Sequence, residues 1–202
     1  MEDKNLEKLA QAVMEKIFVP LEASGRHVHV TSEQAQSLFG HDLTPRRELS
    51  QPGQYLATER VTVVGPRGEF ENVAVLGPAR KAAQVEISLT DARTLGLNPP
   101  VRLSGDTANT PGCTLTGPRG SVSLNEGVIV AKRHIHLHPR DAARFGVVDK
   151  QVVRLQTFTN RPAVFEDVTV RISPDFATAV HLDYDEANAC GFADGDRGRI
   201  LP

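Results

Sequence analysis

Hydrophobic positions near the start of the chain fall on a single helical stripe. Leu6, Leu9, Ala10, Val13, Met14 and Ile17 recur at i, i+3, i+4, i+7, i+8 and i+11, with Glu7, Lys8, Gln11, Glu15 and Lys16 on the opposite side. Pro20 stops the run, so residues 1–18 are expected to form an amphipathic helix. A helix this short is marginal alone and needs a surface, either its own domain or a groove on another protein. From about residue 22 the period shortens to that of strands. Val61–Val64, a turn at Gly65-Pro66-Arg67-Gly68 and Phe70–Leu76 predict a hairpin. Cys113–Thr116, Gly117-Pro118-Arg119-Gly120 and Ser121–Leu124 repeat the device. Neither Gly-Pro-Arg-Gly segment has the Gly-Lys-Ser/Thr ending or the following helix of a phosphate loop, so both read as turns.

The pattern then repeats itself. Gly25-Arg26-His27-Val28-His29-Val30 matches Lys132-Arg133-His134-Ile135-His136-Leu137 at an offset of 107, and each continues to a Phe-Gly pair, at Phe39-Gly40 and Phe145-Gly146. A second register, at an offset of 95, sets Phe70–Val75 against Phe165–Val170 and runs on through Glu86 against His181, Asp91 against Glu186 and Gly96 against Gly191. The expected fold is mostly β with short helices: two related small β-barrel domains from an internal duplication. Residues 26–130 are expected to form the first barrel and 131–202 the second, which a strand over 19–25 completes. Residues 98–127 stand as a hairpin-bearing insertion.

Composition adds exclusions. The 202 residues are 40% hydrophobic and 24% charged, enough to bury a core and typical of globular chains. A net charge of −2 gives no sign of a nucleic-acid or membrane-surface partner. No stretch has the roughly 18 apolar residues of a membrane span, and the acidic start (Glu2, Asp3, Glu7) lacks the basic and apolar regions of a secretory signal. Cys113 and Cys190, isolated from each other, read as plain thiols of a reducing compartment, so a cytoplasmic location is expected.

The duplicated histidines carry the chemistry. In a strand, side chains i and i+2 share a face, so His27 and His29 converge, as do His134 and His136. One such pair alone is weak; two at matched positions of a repeat point to metal ligation. Glu86 and His181 supply a third ligand to each half, giving His27, His29, Glu86 and His134, His136, His181. Three protein ligands leave open positions for water or substrate. The nitrogen-rich set favours Zn²⁺, with Co²⁺, Mn²⁺ or Ni²⁺ as other occupants. His138 aligns with the expected helix cap Thr31, which is followed by Gln34 at capping-box spacing, so it reads as cap or surface. His41 has no repeat partner and reads as a turn residue. The symmetry breaks at Arg80, whose counterpart is Asp175; a guanidinium beside two cation sites suits an anion, and phosphate takes paired hydrogen bonds from Arg. Arg26 and Arg133 face away from the histidine pairs and read as structural ion-pair partners.

Arg26–His29, Leu49–Gly53, Gly77–Lys81, Gln84–Ser88, Glu126–His136 and Asp185–Asn188 together resemble the PduL-type phosphotransacylases, the phosphate propanoyltransferases associated with bacterial microcompartments. The resemblance covers nearly the whole chain after residue 20. It implies two β-barrel domains with a di-zinc site between them, and reversible conversion of a short-chain acyl-CoA and phosphate to acyl phosphate and CoA. Carried over by motif, it implies the same six ligands, Arg80 as the catalytic and phosphate-binding residue, and Ser24 and Asn188 near CoA. Two departures are local: Gly25 where relatives commonly carry Asn, and His138 where a small polar residue is usual. The resemblance also implies that residues 1–18 act as an encapsulation helix, docking to microcompartment shell or core proteins in a propanediol-degrading setting, and that the protein is a homo-oligomer.

Direct acyl transfer is expected, because no Gly-x-Ser-x-Gly elbow is present and neither Cys sits in a nucleophile motif. Two rivals stand beside it: a dinuclear metallohydrolase of an ester or phosphoester, and a metal-dependent scaffold whose helix is its working part. Acetyl and propanoyl chains differ by one methylene, so the sequence leaves chain preference open.

Overall fold

The computed structural model describes residues 13, 14 and 16–201. The helix expected over residues 1–18 therefore lies for the most part outside the described residues; Val13, Met14, Lys16 and Ile17 are helical and exposed. None of the described helices is long and apolar enough to cross a membrane. The chain divides into two compact units. One comprises Gly25–Lys132 with Asp183–Asp185; the other comprises Met1–Ser24, Arg133–Leu182 and Glu186–Pro202.

Strand β1 (Val19–Ser24) is followed by β2 (His27–His29), α1 (Ser32–Phe39), β3 (Pro45–Glu48), β4 (Tyr55–Val64), β5 (Glu69–Gly77), β6 (Gln84–Ile87) and α2 (Leu89–Leu95). The insertion holds β7 (Val101–Arg102), β8 (Cys113–Thr116) and β9 (Ser121–Leu124). The order then repeats: β10 (Val128–Ala131), β11 (His134–Leu137), α3 (Pro139–Phe145), β12 (Val152–Phe158), β13 (Val164–Ile172), β14 (Ala179–Asp183), α4 (Tyr184–Cys190) and β15 (Arg197–Leu201).

The duplication holds at the level of register. β2 runs parallel to β5 with His27 opposite Ala74, and β11 runs parallel to β13 with His134 opposite Thr169, residues related by the 95-residue offset. Each long strand carries a bulge at the same place. Asn72 (φ 56°) in β5 and Asp167 (φ 55°) in β13 take the left-handed conformation that short polar side chains tolerate. Helices α1 and α3 begin at matched caps. Thr31 and Gln34 form the expected capping box, and His138 accepts a hydrogen bond from the Arg140 N–H at 3.2 Å.

The second unit is a closed six-stranded barrel, β1-β14-β11-β13-β12-β15. The first is a nine-stranded sheet, curled as a half-barrel, in the order β7-β10-β6-β2-β5-β4-β8-β9, with β3 on β4. Both share one core order, and the difference lies at closure. In the barrel, five-residue β15 pairs with both β12 and β1. In the half-barrel the two-residue β7 stands beside β10, parallel to it where β15 is antiparallel to β1, while the insertion hairpin β8–β9 takes the edge of β4. A further consequence concerns the strands leading into the histidine pairs. β1 precedes β2 in the chain but lies beside β14, and β10 precedes β11 but lies beside β6. The two repeats thus exchange their first strands.

Each unit buries its own core. Val28, Leu38, Val75, Val85, Leu95 and Val128 lie in that of the half-barrel. Val19, Leu21, Ile135, Leu155, Val180 and Leu182 lie in that of the barrel, so the exchanged strand β1 is anchored by apolar burial as well as by its ladder.

Candidate metal centre

The antiparallel ladder of β2 on β6 sets His27 opposite Glu86 and His29 opposite Gln84, so four polar side chains share one face. His27, His29 and Glu86 are all buried. The Nδ1 atoms of the two histidines face backbone carbonyls, His27 at 2.8 Å from Gly25 and His29 at 3.2 Å from Leu76. A carbonyl only accepts, so Nδ1 carries the proton and Nε2 presents its lone pair. Both Nε2 atoms turn toward the same carboxylate oxygen, Glu86 Oε1, at 3.6 Å for His27 and 4.0 Å for His29. These separations are too long for good hydrogen bonds. They approach the edge of a tetrahedron of ligands around a zinc-sized ion, about 3.4 Å for bonds near 2.1 Å.

Electrostatics favour a cation there. Burial opposes ionisation of Glu86, but the two histidines and a hydrogen bond from Ser104 outweigh it and hold the carboxyl below the usual carboxylate range. Burial pushes the His29 pKa down to about 2, helped by the charges of His27 and Arg80, so its imidazole is neutral. Burial also lowers that of His27, yet the adjacent Glu86 carboxylate prevails and raises it. The donor set is therefore one anionic oxygen and two imidazoles, and its residues fit a divalent transition ion.

The second triad repeats the register with a different third ligand. β11 on β14 sets His134 opposite His181 and His136 opposite Ala179. The three rings converge, with centroids 4.6 Å (His134–His136), 4.8 Å (His136–His181) and 5.0 Å (His134–His181) apart. In each triad the ligand atoms lie within 4.8 Å of one another. Phe176 stacks on His136 at 4.0 Å, and the exchanged strand β1 brings the Glu22 carboxylate to 3.7 Å from His181 Nδ1. An acid behind a ligating imidazole fixes its orientation and raises its basicity. All-imidazole ligation is neutral, whereas the first triad is anionic.

Arg80 follows the cis Gly77–Pro78 peptide and is seated by a backbone bond to Val30 (2.9 Å) and by Nη1 donating to Ser104 Oγ (3.2 Å). Its charge acts on both His27 and His29, which places it at the first triad. Arg26 and Arg133 pair at 2.6 Å with Asp91 and Glu186, which are themselves repeat equivalents. Both arginines also lie over equivalent rings, Phe70 at 4.0 Å and Phe165 at 5.7 Å, so they are structural. Ser24 ends β1 and Asn188 stands exposed on α4. His41, 3.7 Å from Glu59, lies apart from both triads. The Tyr184 ring fills the space where a Cβ on Gly25 would stand, which accounts for glycine before Arg26. Burial pushes the Cys113 thiol up to about 12 and raises that of Cys190, so neither is a ready nucleophile.

With this geometry in view, comparison with known proteins is specific. A family model described as phosphate propanoyltransferase matches residues 20–193. The chain belongs to the phosphate propanoyltransferase family. It is 52% identical to the phosphate propanoyltransferase of Listeria monocytogenes, over 97% of this chain and 93% of the relative. The Enterococcus faecalis relative of the same name is 54% identical over 90% and 87% of the two chains. That of Thermotoga maritima is 53% identical over 86% and 84%. Membership makes the chain an acyltransferase.

Two residues of this family member's site were missed by sequence reasoning. Gln84 and Ser104 join Glu86 to Arg80 through hydrogen bonds. Gln84 carried a usable signal, standing two residues before Glu86 on the same strand face, with Ala179 at its repeat equivalent. Ser104 carried none, because it lies in a loop after β7 whose path only the fold determines.

Proposed function

We propose that this chain is a phosphate acyltransferase that converts a short-chain acyl-CoA and phosphate reversibly to acyl phosphate and CoA, with one divalent ion, zinc by donor type, in each triad. The observation that carries the reading is Arg80, held beside His27, His29 and Glu86, in a chain whose relatives are named for phosphate propanoyl transfer.

In this mechanism His27, His29 and Glu86 would hold the first ion and His134, His136 and His181 the second. Bound there, such an ion supplies a Lewis acid that eases charge build-up on a carbonyl oxygen or a departing thiolate. Arg80 binds phosphate with paired, charge-assisted hydrogen bonds and orients one oxygen toward the thioester carbonyl. That oxygen forms the new C–O bond, the C–S bond breaks, and the electron pair leaves on the CoA sulfur. No side chain is acylated, in keeping with two buried, high-pKa thiols. Ser24 and Asn188 are proposed to contact CoA, in a homo-oligomer. Residues 1–18 are proposed to dock the protein within a microcompartment; their single apolar stripe supports this.

Metal analysis combined with an acyl-CoA assay over a series of chain lengths tests the reading. Thiol release is expected only when phosphate or arsenate is present. Release in their absence would identify a metallohydrolase instead, and metal content without thiol release from any acyl-CoA would identify a scaffold.

A further inference from the structure

The hydrogen bonds behind Glu86 form a closed set. Gln84 Oε1 accepts from the backbone N–H of Gly105 at 2.7 Å. A backbone N–H can only donate, so the Gln84 amide has one orientation and its nitrogen faces the other way. Its two N–H groups go to Glu86 Oε1 (2.5 Å) and Ser104 Oγ (2.8 Å). Arg80 Nη1 donates to the same Ser104 oxygen at 3.2 Å. An amide nitrogen and a guanidinium are both donors, so Ser104 accepts twice.

The consequence for Glu86 is orientation. A carboxylate turns freely about its last torsion, whose minima are broad. The Gln84 amide takes one lone pair of Oε1 and leaves the other toward His27 and His29. Ser104 meanwhile registers Arg80 against the same carboxylate, joining the anion-binding cation to the metal ligand.

The second repeat supplies the control. Arg80, Gln84 and Glu86 correspond to Asp175, Ala179 and His181. All three differ together within one short segment. The amide is present where the third ligand is a carboxylate and Arg lies beside it, and absent where the third ligand is an imidazole.

We infer that Gln84 and Ser104 are positioning residues, which hold Glu86 turned toward His27 and His29 and fix Arg80 against that ligand. The inference rests on the metal reading of the first triad, and its test does not depend on the acyl-transfer reading. The measurement is zinc affinity of the full chain by chelator competition, with the cobalt(II) absorption spectrum as a second readout. Gln84→Leu is expected to weaken one of two metal equivalents by about 10–100-fold, the usual effect of losing a partner behind a ligand, and to leave the other unchanged. The affected equivalent is the one that survives in a His134→Ala background, and its cobalt spectrum shifts.

Ser104→Ala covers the case in which Gln84→Leu fails to fold. It is expected to weaken the same equivalent several-fold and to raise KM for phosphate about tenfold, the loss of one charge-assisted contact, with KM for acyl-CoA unchanged. Ser104→Thr, which keeps the hydroxyl, restores both. Wild-type affinity for both ions in Gln84→Leu and Ser104→Ala would overturn the inference. So would equal weakening of both ions together with a lowered unfolding temperature, which marks a general packing role. A wild-type protein that binds metal but shows no phosphate-dependent turnover would sink the acyltransferase reading and leave the affinity result standing.

Discussion

Arg80 is the residue on which the two triads differ most in charge, and its substitution separates substrate roles. Arg80→Ala removes charge-assisted hydrogen bonds of about 1.5–3 kcal/mol each, so KM for phosphate is expected to rise roughly 10–100-fold. KM for acyl-CoA should move little; equal rises in both, measured by steady-state kinetics, would count against phosphate binding. The first triad also sets a pH dependence whose sign follows from its shifts. His29, held near a pKa of about 2, and Glu86, held low, are already in their ligating forms at neutral pH. His27 has a raised pKa, so it is the group at which protons compete with the ion. As pH falls through that raised value, apparent affinity should drop by about tenfold per unit, one proton being displaced per ion bound. Above it, affinity should level off. Chelator competition across pH 5.5–8 checks this, and a flat profile would contradict it. At this scale the sequence was informative wherever a residue type had a repeat partner. The six triad residues and the ion-pairing role of Arg26 and Arg133 were legible for that reason, whereas their partners Asp91 and Glu186 were not named by it. Gln84 shares a strand face with Glu86 but breaks the repeat, and Ser104 was not legible, because a hydrogen bond between strand and loop leaves no periodic trace.

Strand identity was largely legible from alternation and turns, and the expected bounds set a strand over 19–25 with the second barrel and residues up to 130 with the first, while the neighbours of each strand were not legible. β1 begins with alternating burial and carries Pro20, whereas β10 is an unbroken apolar run, and neither pattern names its neighbour, β14 for β1 and β6 for β10. Their exchange is a tertiary choice that no period-two pattern encodes. Closure was hidden for a similar reason: β15 bridges β12 and β1 in the barrel, whereas two-residue β7 and the insertion hairpin occupy the edges of β10 and β4 in the other unit. The exchange has an energetic consequence that can be measured. Leu21 of β1 is buried in the barrel core, and its end packs where a Cβ on Gly198 would stand. Leu21→Ala should cost about 2–5 kcal/mol in denaturant unfolding, the range for a large-to-small change in a packed core. Hydrogen exchange should then rise in β1, β14 and β15, which flank the cavity, and stay low in β2, β5 and β6. A loss of protection spread evenly over both units would show that β1 is not confined to the barrel.

The whole molecule consists of two units, each with its own core and its own triad on its own ladder. Metal ligation at the triads would then fasten β2 to β6 in one unit and β11 to β14 in the other. An ion that binds the native state alone stabilises it by RT ln(1 + [L]/Kd), about 4 kcal/mol at a thousandfold excess over Kd. The triads share no residue, so their occupancies should be separable. Native mass spectrometry or elemental analysis is expected to find two ions per chain in the wild type. Glu86→Ala should leave one, held by His134, His136 and His181, and His134→Ala should leave one, held by His27, His29 and Glu86. The double variant should hold none. Chelation should lower the unfolding temperature of the wild type more than that of either single variant, because each variant has already lost one fastening. If one ion were instead shared by all six ligands, each single variant would lose the whole content and chelation would have no further effect. That pattern would replace two centres with one.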